Sequence, residues 1–185
     1  YFISKKPSGS FEPNKLLKNK NILILGPGEN LPKKLKKIEK IIQAKNLFVI
    51  ALNIFPSLKE QYINLRASCH PFRIMSDKTK YLNLKSKLII PFSMLNKNLS
   101  KNLKLKKSNF FDYGLQLNDN NNYQINKNFC SLPFPLAIGY ALSIAVAGKV
   151  KSVNVAGFDG YSKSDNDQDE TEEIFKYFSS RYFKN

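Results

Sequence analysis

The stretch Asn21-Ile22-Leu23-Ile24-Leu25-Gly26-Pro27-Gly28-Glu29-Asn30-Leu31-Pro32 decides the fold. Its four consecutive aliphatic residues predict a strand buried on both faces. Gly26 and Gly28 then permit a tight turn and a close approach of backbone to a ligand. Pro32 suits the first turn of a helix capped at Asn30 or Leu31. Strand, glycine turn and helix start together make an anion site, because free N–H groups and the positive dipole end face the turn. This reads as a phosphate cradle opening a nucleotide-binding fold. The plainer alternative is a strand-to-helix turn that binds nothing.

Working outward, the helix over about Lys33 to Lys45 should bury Leu35, Ile38, Ile41 and Ile42 and expose its lysines. Phe48 to Leu52 reads as the second strand, ending at Asn53. A dinucleotide cofactor is disfavoured. Leu31 stands where the third fingerprint glycine belongs, and Asn53 lacks the carboxylate that grips a ribose diol. Ser57 suits the cap of a short helix. Arg66 to Cys69 reads as a third strand running into His70-Pro71, with a turn of helix over Asp77 to Tyr81. Lys87 to Pro91 is the fourth strand, followed by Ser93. The lysine- and asparagine-rich run Asn96 to Ser108 reads as solvated. Between Asn109 and Asn128, Phe110-Phe111-Asp112-Tyr113 and Tyr123-Gln124-Ile125 flank a polar tip and suggest a hairpin excursion.

Pro133 to Lys149 predicts a broadly buried helix. Leu136, Tyr140, Ile144 and Ala147 share one face, the small residues Ala137, Gly139, Ala141, Ser143 and Ala145 allow close approach to a sheet, and Gly148 forms the C-cap. Ser152 to Ala156 reads as another core strand. The acidic run from Asp165 to Glu173 complements the start of a final helix bearing Phe175, Phe178 and Tyr182. The order β-α-β-α-β-β-insert-α-β-α predicts an α/β, Rossmann-like three-layer sandwich with a mainly parallel sheet and a small polar insertion. Residues 1–20, with Pro7, Gly9 and Pro13, read as a lead-in or linker, and residues 21–185 as the nucleotide-binding domain.

At 185 residues the chain is long enough for one domain with a full core. It opens at Tyr1 without a methionine, which predicts a piece of a longer protein. No apolar run reaches membrane-spanning length. Cys69 and Cys130 give no disulfide framework and suit a cytoplasmic protein. The net charge of +16 suggests nucleic acid, but the lysines are scattered and the arginines are only Arg66, Arg73 and Arg181. Sequence-specific recognition favours arginine forks, so a solvated lysine surface with weak, salt-sensitive polyanion affinity is expected.

In parallel sheets, ligands sit outside the carboxyl ends of the strands. That rule selects Gly26, Gly28 and Asn30 after the first strand, Asn53 after the second, His70 after the third and Ser93 after the fourth. It adds Ser131 before the buried helix and Asp159 after the last strand. Each has a plainer role as a turn or cap residue. His70 is the only histidine and the natural proton-exchanging group near neutral pH. Asp159 would orient a ligand hydroxyl, or join a ligand phosphate in holding a divalent ion. One histidine and two separated cysteines build no zinc site.

Several stretches together resemble a known family: Asn21 to Leu31, Ile50 to Asn53, Cys69-His70-Pro71, Leu88 to Leu95, Gly139 to Gly148 and Val155 to Gly160. The family is the carboxyl-terminal domain that follows an HMG-CoA-lyase-like, 4-hydroxy-2-oxovalerate-aldolase-type barrel in bacterial proteins of surface-polysaccharide gene clusters. The resemblance implies such a barrel before Tyr1 and carries no aldolase site onto this chain. More distantly, the chain is similar to family 42 sialyltransferases and to 6-hydroxymethylpterin diphosphokinase-like proteins. By that likeness Gly26, Gly28, Asn30, Asn53 and Ser131 would contact a nucleotide or nucleotide sugar, although Pro27 stands where the sialyltransferases carry asparagine. Two functions are therefore expected, a nucleotide-binding domain of a larger aldolase-type protein or a self-contained glycosyl- or diphosphoryl-transferase using His70 and Asp159, with a purely structural docking module as the third reading.

Overall fold

Alternating strands and helices assemble into a six-stranded sheet in which every neighbour pairing is parallel. The computed structural model describes residues 6–54, 58–119, 122–158 and 166–183. Ser57, Asp159 and Asp165, singled out above, lie outside the described residues. In chain order the elements are α1 (Asn14–Leu17), β1 (Asn21–Leu25), α2 (Leu31–Lys45), β2 (Phe48–Leu52), β3 (Leu65–Ala67), α3 (Pro71–Ser76), α4 (Lys78–Leu82) and β4 (Lys87–Ile90). They continue with α5 (Lys97–Leu103), β5 (Phe110–Asp112), β6 (Gly114–Leu117), β7 (Gln124–Ile125), β8 (Phe129–Leu132), α6 (Ala137–Ala147), β9 (Ser152–Ala156) and α7 (Asn166–Arg181). The strand order β5-β4-β3-β2-β1-β9 makes this the α/β, Rossmann-like sandwich expected from the sequence.

The two faces of β1 explain its unbroken apolar run. Leu23 and Leu25 join Val49, Ala51, Ile38 and Ile42 in the layer under α2. Ile22 and Ile24 join Ile50, Leu52, Tyr140 and Ile144 in the layer under α6. A parallel strand covered by helices on both sides has no face left for polar residues. The stripe of α2 is Leu31, Ile38 and Ile42, with Leu35 half-buried, whereas Ile41 is 37% exposed. The expected burial of Ile41 is thus corrected, since its position falls past the edge of the stripe. The helix stops where Asn46 turns left-handed at φ 47°, and Leu47 donates back to the Ile42 carbonyl at 3.0 Å.

Helix α6 is buried continuously from Ile138 to Ala145. Part of its small-residue surface receives another helix rather than the sheet, because a Cβ on Gly139 would meet Ile174 of α7 at 3.2 Å. Gly148 is the C-cap, with an ordinary right-handed backbone at φ −73°. The left-handed residue is Lys149, at φ 51°. Glycine at 148 instead admits Leu17 of α1, whose Cβ lies 2.8 Å from where a Cβ on the glycine would stand.

Four further expectations change. Residues 6–20 pack onto the domain: Leu17 is fully buried, Phe11 stacks on Phe111 with centroids 4.2 Å apart, and the Ser10 and Phe11 amides donate to the Asp112 carbonyl at 2.9 Å. The expected hairpin does not form. Phe110 to Asp112 instead extends the main sheet beside β4, and β8 pairs with β6 in parallel and β7 in antiparallel. The lysine-rich run is mostly exposed, as expected, but it also forms α5, anchored by buried Leu103 and capped by Asn96, which accepts from the Leu99 amide at 2.8 Å. Finally, β9 is an edge strand with Asn154 and Val155 exposed, since among the described residues only β1 pairs with it. No helix among the described residues is long and apolar enough to cross a membrane.

Candidate functional site

The strand order runs outward from β1 in both directions, through β2 on one side and to β9 on the other. A crevice therefore belongs between the carboxyl ends of β1 and β9. Backbone fills it. The Gly26 amide donates to the Ala156 carbonyl and the Gly28 amide to the Gly157 carbonyl, each at 2.8 Å. A Cβ on Gly26 would stand 2.4 Å from the Gly157 oxygen and 2.8 Å from the Phe158 ring. The helix start adds little, because the Leu31 amide is donated to the Gly28 carbonyl at 3.1 Å and Pro32 has no N–H. The cradle expected at Gly26 and Gly28 is thus closed by the chain's own backbone. At position 26 glycine is required for strand-end packing. Asn30 is exposed at the start of α2, where its side chain makes no capping bond.

The open space lies beside that crossing. A cavity of about 520 Å³ at the carboxyl edge is lined by Pro27, Asn53, His70, Phe72, Arg73 and Phe158, with Pro135 to Ile138 on the side of α6. Asn53 is held by three contacts. Its amide donates to the Ala67 carbonyl at 2.9 Å, its Oδ1 accepts from Ser68 Oγ at 2.8 Å, and its own carbonyl accepts from Arg66 Nη1 at 3.1 Å. The left-handed backbone at φ 53° is one that asparagine tolerates better than most residues. With Oδ1 taken, the side-chain NH2 is the remaining donor.

His70 leaves β3 in an extended conformation, φ −76° and ψ 121°, as expected of a residue before proline. It precedes α3, is exposed, and its ring lies tilted 5.7 Å from that of Phe72. Arg73 follows one turn later. Its guanidinium has no ion pair among the described residues. Phe72 is 69% exposed, far more than any other large apolar side chain described.

Asn53 and His70 thus meet at one cavity, and Pro27 of the glycine turn joins them. Ser131 does not. It lies in β8, buried, where its Oγ accepts from Asn118 Nδ2 at 2.8 Å and fastens the insertion. Ser93 belongs to a separate cavity of about 540 Å³ with Asp112. There the Asp112 carboxylate accepts from both the amide and the hydroxyl of Ser93, and burial raises its pKa against the opposing pull of those bonds. Burial also pushes the Cys69 thiol up to about 12, leaving it a neutral core residue. Among the described residues no group of His, Cys, Asp or Glu could hold a metal ion.

The sequence reading missed Arg73. Its signal was available: three residues after His70, on a helix begun by Pro71, an arginine returns to the same side. No family model matches the chain, and no curated protein matches it.

Proposed function

We propose that the chain is a nucleotide- or nucleotide-sugar-binding domain whose ligand occupies the carboxyl-edge cavity. One observation carries this reading: Asn53, His70 and Arg73 converge there from two strand ends, beside the exposed ring of Phe72. A volume of about 520 Å³ is the size of a small-molecule site. An exposed aromatic ring next to hydrogen-bond donors suits a stacked base with a polar tail. By the resemblance carried by the strand ends, the domain would serve a larger aldolase-type protein of surface-polysaccharide synthesis. The full-length gene product, read for a barrel before Tyr1, tests that wider role.

A thermal-shift panel of CMP, UMP, GMP and their sugar conjugates tests the binding. At a hundredfold excess over the dissociation constant, stabilisation should reach about 2.7 kcal/mol, or roughly 5–10 °C. Phe72→Ala should shrink the shift for the preferred ligand without lowering the melting temperature of the free protein, because that ring is mostly in solvent. No shift with any of these ligands at millimolar concentration would remove the reading.

A further inference from the structure

A nucleotide-binding fold of this kind ordinarily places phosphate on the turn after the first strand. Here the two glycine donors of that turn are spent. The Gly26 and Gly28 amides are bonded to Ala156 and Gly157, the Leu31 amide is bonded to Gly28, and Pro32 supplies none. Glu29, exposed in the same turn, adds a carboxylate that repels an anion. The opposite wall of the cavity has the contrary character. Arg73 offers a planar fork of donors, His70 adds an imidazole, and among the described residues no carboxylate lines the cavity. The other two arginines are committed elsewhere: Arg66 is buried against Glu60, and Arg181 lies over the Tyr177 ring at 4.8 Å.

We propose that Arg73, with His70 beside it, holds the phosphate of the ligand in this cavity, and that the glycine turn does not. The ligand class is a phosphate ester bearing a flat ring. Its phosphate lies against the Arg73 and His70 side chains, and its ring lies toward Phe72 and Asn53. This binding mode reverses the usual polarity of such a site, because phosphate is taken at the third strand rather than at the first. The placement of the ring rests on the nucleotide reading above. The placement of the anion does not.

The test uses the whole chain at physiological ionic strength, where screening over about 8 Å suppresses diffuse attraction to the lysine surface. Inorganic pyrophosphate, CMP and cytidine are titrated calorimetrically into the parent, Arg73→Ala and Lys36→Ala, the last altering an exposed lysine of α2. Arg73→Ala should weaken pyrophosphate and CMP by about 10–100-fold, the usual worth of charge-assisted bonds, and leave cytidine within about twofold. Lys36→Ala should leave all three unchanged. If pyrophosphate binding depends on Arg73 but CMP binds no tighter than pyrophosphate, the anion site stands and the nucleotide reading falls. If pyrophosphate fails to bind the parent, or binds Arg73→Ala equally well, the proposal is overturned.

Discussion

Gly26→Ala should lower stability by about 3 kcal/mol, the upper part of the usual range for overpacking a tight contact. In a chain of this size that is a fall of roughly 6–12 °C in melting temperature. The added methyl would stand 2.4 Å from the Gly157 carbonyl oxygen and 2.8 Å from the Phe158 ring, and the nearer obstacle is backbone just past the end of β9, bonded to the Gly28 amide. Gly157→Ala should cost at least as much. Its methyl would meet the Gly26 oxygen at 2.4 Å, and its φ of 79° is strained for any residue with a side chain. Where space and backbone are compatible, glycine-to-alanine changes stabilise by a few tenths of a kcal/mol to about 1 kcal/mol, so the expected sign is itself diagnostic. Thermal melts measure it. A Gly26→Ala protein melting within roughly 2 °C of the parent would show that the strand ends do not cross as described.

The second large effect is expected at Arg66, a guanidinium only 2% exposed in the middle of β3. It donates to Glu60 Oε2 at 2.7 Å, to Ser86 Oγ at 3.2 Å and to the Asn53 carbonyl at 3.1 Å. Glu60 also accepts from the Ser86 amide at 3.0 Å and from its hydroxyl. Arg66→Met keeps much of the apolar stem and removes every one of those donors, leaving Glu60 without its cation. Breaking a well-buried pair costs about 3–5 kcal/mol, and the partial exposure of Glu60 lowers the expectation to about 2–4 kcal/mol.

The pH dependence has a definite sign. Burial alone would raise the Glu60 pKa, but the bonds from Arg66 and Ser86 and the charge of Arg66 outweigh it and hold it below the ordinary value of 4.5. Folding therefore favours the ionised form. That stabilisation is complete above 4.5 and is lost as the pH falls through the depressed folded value. Urea denaturation of parent and Arg66→Met across the acid range should show the gap between them narrowing below that point. A gap that stays constant, or widens on acidification, would contradict the assignment. Because Arg66 also holds the Asn53 carbonyl, the variant should bind ligand more weakly even where it remains folded.

The fold was legible where local chemistry and long-range packing agree. Asn21 to Leu25 and Phe48 to Leu52 are apolar throughout, which a doubly covered parallel strand demands. Parallel strands also share one carboxyl edge, so Asn53 and His70 could be placed together before their contacts were known. The illegible parts depend on partners distant in the chain. Gly26 looked like a phosphate turn because its partner, Gly157, carries no local mark of the crossing. Phe110 to Asp112 looked like part of a hairpin, but its neighbour is β4 and not the next strand in sequence. Ser131 was read as a site residue from its position before α6, while its direction was fixed by Asn118. Arg73 lies on the helix turn after a strand end, where the carboxyl-edge rule does not point.

Ligand titration followed by amide-resolved NMR tests the central claim most directly, since another cavity, of about 850 Å³, lies at the opposite edge between the starts of β2, β3 and β4. With CMP, or the nucleotide sugar that shifts the melting temperature most, the Asn53, His70, Arg73 and Phe158 amides should move together along one saturable curve. Leu84 to Lys87, at the far cavity, should stay still. Saturable shifts confined to Leu84–Lys87 and Lys59–Asn64, with Asn53 and Arg73 unmoved, would put the ligand at the amino edge and contradict the account.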